Sequence, residues 1–166
     1  MESRAKLFGH PIHQMLVVFP LGLMATSHFF DVIGLTTNHA GLLQAAWYMI
    51  AAGVVSGLVA AVFGLFDYLA IPSGTRAKRI GFFHGIGNVI LVALFAASWW
   101  LRRDNPANPG SLPVILSAVA TGLGGITGWL GGELVDRLGV GVDDGAHLDA
   151  PNSLTHETTA RETVRR

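Results

Sequence analysis

The sequence predicts an all-α protein: a four-helix transmembrane bundle followed by a disordered polar C-terminal tail. Three observations carry this. Of 166 residues, 51% are hydrophobic and only 13% charged, an apolar departure from the soluble average. Between Lys6 and Arg137 the ionisable residues other than histidine and tyrosine are Asp31, Asp67, Arg76, Lys78, Arg79, Arg102, Arg103, Asp104, Glu133 and Asp136, which punctuate four long apolar runs. Each run exceeds the roughly 18 to 20 residues that cross about 30 Å of hydrocarbon as a helix.

The first run, HPIHQMLVVFP onward, predicts a helix near 13–34. His10-Pro11 suits a helix start because the N–H that proline lacks is orphaned there in any case. The N-terminal ten residues lack a cleavage pattern, so this run is expected to stay as a span. The second helix is expected near 41–68 and the fourth near 112–134. Each carries small residues every four positions, Gly53, Gly57 and Ala61 in one and Gly124, Gly128 and Gly132 in the other, which predicts close packing within the chain or between copies. The third, near 80–101, holds RIGFFHGIGNVI. Within lipid all backbone groups must pair internally, so these spans must be helices, and glycine, of which the whole chain has 21, is tolerated there. A membrane domain at 1–136 and a solvated tail at 137–166, with His147 and His156 in it, complete the expected organisation.

Basic residues resist translocation. Arg4, Lys6, Arg76, Lys78, Arg79 and Arg137 stand on one side and only Arg102 and Arg103 on the other, which predicts cytoplasmic termini. Trp99, Trp100 and Trp129 suit interfacial anchoring. Net charge is zero and cysteine is absent, so bulk-charge binding of nucleic acid, disulfides and thiolate metal sites are not expected.

The odd-even course of the helices gathers polar residues at the cytoplasmic side: His10 and His13, Asp67, His84 and Asn88, and Glu133. Ionisable residues at membrane depth are costly and are functional candidates by default. His13 and His84 form a candidate bis-histidine pair for haem b. His10, His13, His84 and Glu133 form a candidate set for a divalent metal. Asp67, Asn88 and Glu133 could orient imidazoles or belong to a proton path. The glycines around His84 admit either a neighbouring helix or a flat macrocycle. His28 and Asp31, one turn apart, are expected as a local polar pair at the other interface.

The motifs HPIHQMLVVFPLGL, GLFDYLAIPSGTRAKRIGFFHGIGN and GITGWLGGELVDRLGVGV, in this order, resemble the bacterial family catalogued as domain of unknown function 2231, over roughly residues 8–142. The resemblance implies a small bacterial inner-membrane protein in which His10, His13, Asp67, His84, Asn88, Trp129 and Glu133 are family positions. Longer relatives join such a unit to iron–sulfur or cytochrome-like domains, which implies membrane redox partners. Where the family has HP-x-HP, then LVHFP, and later LVYRHGVGV, this chain has Gln14, Val18, Asp136 and Leu138, so two histidines are missing.

No Walker loop, nucleophile elbow, HExxH or dinucleotide fingerprint occurs, so an autonomous enzyme is not expected. The expected function is a redox-associated membrane module holding haem b or a divalent metal near the cytoplasmic face. A proton or small-solute permeation module built on Asp67 and Glu133 is the alternative, and a structural or assembly subunit the third. The expected partners are the lipid bilayer, membrane redox proteins and, through the small-residue faces, a second copy.

Overall fold

A computed structural model describes residues 1–154. A short antiparallel ribbon, β1 (Lys6–Leu7) and β2 (His10–Pro11), precedes the helices α1 (Ile12–Leu16), α2 (Val18–Thr37), α3 (Ala40–Ala70), α4 (Arg76–Leu101) and α5 (Ser111–Gly132). A π-helical turn, Glu133–Arg137, extends α5. Four spans are long and apolar enough to cross a membrane: Ile12–Thr37, Ala40–Ala70, Arg76–Leu101 and Ser111–Arg137. Their bounds lie within a few residues of those expected from charge placement.

Local chemistry explains each boundary. α1 and α2 are one span with an irregularity at Val17, because Pro20 has no N–H for the Leu16 carbonyl and its ring crowds that oxygen. Asn38 takes the left-handed conformation, φ 53°, that ends α2. The next residue, His39, starts α3, its ring Nδ1 accepting the Leu42 N–H at 3.3 Å; this loop histidine is a helix cap. Gly74, at φ +78°, turns the chain into α4, whose first turn is closed by the Thr75 hydroxyl accepting from Lys78 N–H at 3.1 Å. Pro113 falls in the first turn of α5, where its missing donor costs nothing.

Helices α2 and α3 form one antiparallel hairpin and α4 and α5 a second; α3 packs on α4 and α2 on α5, closing the bundle. Met24, Ile50, Phe95 and Ala120, one from each span, make the core. Outside, Val55, Leu58, Val62, Leu65 and Phe66 of α3 are exposed, as expected of a surface whose solvent is hydrocarbon. Lipid gives no gain for burying large apolar groups, so close contact of small residues supplies the packing. Gly53 receives Met24, whose Cγ lies 2.7 Å from where a Cβ would stand, and Gly124 receives Leu91 at 3.2 Å. Ala61, Gly128 and Gly132 are exposed.

One expectation is corrected here. Trp99 is not an interfacial anchor: it stacks on Trp47 at 5.6 Å inside the bundle and its carbonyl accepts from Trp47 Nε1 at 3.1 Å. Trp100 and Trp129 are exposed. The polar segment after Arg137 is tied down where it begins: Gly141 N–H donates to the Met1 carbonyl at 2.9 Å, and Lys6 bridges Glu2 and Asp143. His147 is exposed; His156 lies outside the described residues.

Candidate functional site

His13 and His84 have matching environments. The His13 ring, on α1, donates from Nδ1 to the Ala60 carbonyl of α3 at 2.9 Å and lies over Gly64, its Cε1 2.8 Å from the place of an added Cβ. The His84 ring, on α4, donates from Nδ1 to the Thr127 carbonyl of α5 at 2.9 Å and lies over Gly131, with Cε1 at 3.1 Å. A carbonyl can only accept, so each imidazole carries a proton on Nδ1 and, in its neutral form, presents the Nε2 lone pair. Asn88 covers that of His84, its amide 3.2 Å from Nε2 while also bonding the His84 carbonyl at 2.8 Å. The Nε2 of His13 has no protein partner among the described residues. The two rings are half-buried.

The other expected residues surround this pair without joining it. His10 is exposed, and its Nδ1 donates to the Phe8 carbonyl at 3.1 Å. Asp67 holds the N-terminal arm: it accepts from Ser3 Oγ at 2.7 Å and Arg4 N–H at 2.9 Å. Glu133, at the first position of the π turn, pairs with Arg76 at 2.6 Å. Among the described residues no three His, Cys, Asp or Glu side chains come together as a metal set, so His10, His13, His84 and Glu133 are not gathered into one.

The opposite end holds the strongest polar cluster, and sequence reasoning missed it. Asp31 and Arg102 are both fully buried and form a bidentate pair, Nη1 to Oδ1 at 2.6 Å and Nη2 to Oδ2 at 2.8 Å. The remaining guanidinium donors reach Ser98 Oγ at 3.1 Å, Ser117 Oγ at 2.8 Å and the Pro113 carbonyl at 3.2 Å. Arg102, expected as a surface basic residue, thus belongs to the interior, and Asp31 pairs with it rather than with His28. The buried Nδ1 of His28 has no hydrogen-bond partner among the described residues. The available signal was opposite charge at matched depth, each residue standing 18 positions after a histidine.

This is a four-span helical membrane protein with a histidine pair at one end of its bundle and a closed ion pair at the other. It belongs to the family of predicted membrane proteins DUF2231, which it matches over residues 9–144. No curated protein and no solved structure matches the chain.

Proposed function

We propose that the protein is a redox-associated membrane module that holds haem b between His13 and His84, at the end of the bundle beside the N-terminal arm. The positive-inside count supports a cytoplasmic position for that end, and the family resemblance supports a bacterial inner membrane. One observation carries the reading: both imidazoles are fixed by carbonyls in the Nδ1–H tautomer, the state in which Nε2 can ligate iron. The donor set suits haem. Gly64 and Gly131 give each ring room against its neighbouring helix, and the Nδ1–H···O=C bonds orient the rings and raise the basicity of Nε2. Asn88 would release His84 by turning its amide aside. A divalent metal has less support, since no third ligand joins the two rings.

Haem would supply one-electron chemistry with a membrane redox partner. The chain's part is to hold two neutral imidazoles in a low-dielectric setting, with the end of the bundle braced by Glu133–Arg76 and by Asp67 on the N-terminal arm. The test is the absorbance spectrum of detergent-purified protein from haem-sufficient cells. A Soret band that disappears in His13→Ala and in His84→Ala, and survives in His10→Ala, is expected. Folded wild-type protein without a Soret band overturns the reading.

A further inference from the structure

The two hairpins repeat one another at constant offsets. Buried Met24, Ser27 and Asp31 recur 71 residues on as buried Phe95, Ser98 and Arg102. Buried Ile50, Gly53 and Ala60 recur 67 residues on as buried Ser117, Ala120 and Thr127. Contacts recur with the positions. His13 bonds the Ala60 carbonyl over Gly64, and His84, 71 residues on, bonds the Thr127 carbonyl over Gly131, each 67 residues on. Pro20 lies against Gly57 as Leu91 lies against Gly124. Even the two buried ring nitrogens without partners, on His28 and Trp99, stand at equivalent positions.

Histidine and charge are 18 residues apart in both repeats, five turns of 3.6 residues, so they share one helix face. Asp31 and Arg102 are equivalent and touch each other. Equivalent residues of two copies related by rotation meet at the axis, so the pair marks a pseudo-twofold axis between the hairpins. The faces that bear His13 and His84 border the same axis, five turns away.

We infer that the protein is a tandem duplication of one histidine-bearing hairpin, and that the Asp31–Arg102 contact makes each hairpin surface select an unlike partner. Two hairpins of the first kind would set Asp against Asp on the axis, and two of the second Arg against Arg; either leaves buried like charges without compensation. Only the mixed pair closes the bidentate bond. The surface therefore fits a hairpin of opposite charge and rejects its own copy, whether or not the histidines hold a cofactor.

Charge reversal in the full-length, detergent-purified chain tests this. Asp31→Arg and Arg102→Asp, made singly, put like charges on the axis and are expected to lower Tm by on the order of 10 °C. The double variant is expected to recover roughly half of that loss. A guanidinium at position 31 would meet Ser27 and the Ala46 carbonyl, as Arg102 meets Ser98 and the Pro113 carbonyl, but Ile50 stands where Ser117 completes the native cage. Ile50→Ser is therefore expected to lower Tm in the native background and to raise it in the reversed one. The same sign in both overturns the inference.

Discussion

The two ends of the bundle solve the same problem in opposite ways. Where α2 ends and α5 begins, Asp31 and Arg102 are fully buried, and their bidentate bond is supplemented by Ser98, Ser117 and the Pro113 carbonyl. Every charged group of that pair is engaged. Beside the N-terminal arm, His13 and His84 are only half-buried; His13 is anchored through Nδ1 alone, and His84 through Nδ1 with the Asn88 amide over its Nε2. A saturated cluster fixes geometry, whereas an unsaturated one keeps a lone pair for something else.

Breaking the closed end has the largest expected effect. Arg102→Ala or Asp31→Ala leaves a bare charge in the interior and is expected to cost about 3 to 5 kcal/mol, whereas Asp31→Leu with Arg102→Leu together costs far less because no unpaired charge remains. Thermal unfolding in detergent separates the two cases. Equal losses in the single and double variants would show that the ion pair is not what holds that end.

Disturbing the open end comes next. Gly64→Ala pushes a methyl to 2.8 Å from the His13 ring, and Gly131→Ala one to 3.1 Å from the His84 ring. Losses of about 1 to 3 kcal/mol are expected, larger for Gly64. Gly85→Ala is the control: it meets nothing within 4 Å, and a gain of up to about 1 kcal/mol is expected from helix propensity. Thr75→Ala, which removes the cap of α4 at this same end, is expected to cost about 1 kcal/mol.

The smallest effect concerns the arm beside the open end. Lys6 has its pKa raised, chiefly by its hydrogen bond to Glu2. Asp143 has its pKa lowered, first by the Gly145 backbone N–H and then by Lys6. The Lys6 contribution is present below its unfolded value and is lost as pH rises through the folded one. The Asp143 contribution is present above its unfolded value and is lost as pH falls through the folded one. The latch therefore holds between roughly pH 4 and 10 and weakens with salt. Protease access to residues 1–10 should follow that window; cleavage independent of pH and salt would show that the ion pairs do not hold the arm.

The four spans were legible because charge is excluded from hydrocarbon, a rule that acts residue by residue along the chain. The matched depth of His13 and His84 followed from span direction alone. Their hydrogen bonds to Ala60 and Thr127 were not legible, since carbonyls carry no side-chain signature. Asp31 and Arg102 were misplaced because each was weighed against its own interface, as a charge near water usually is. The repeat was present throughout, in His13 to Asp31 and His84 to Arg102 with Ser27 and Ser98 between. It is hard to see by eye because the equivalent residues are an acid and a base.

One departure from that repeat remains. Pro20 breaks the first span at Val17, while its counterpart Leu91 leaves α4 unbroken. The turn bearing His13 is thus coupled to its own helix by one backbone bond fewer than the turn bearing His84. Deuterium uptake should begin there, and whatever enters between the two rings meets one movable jaw and one fixed one.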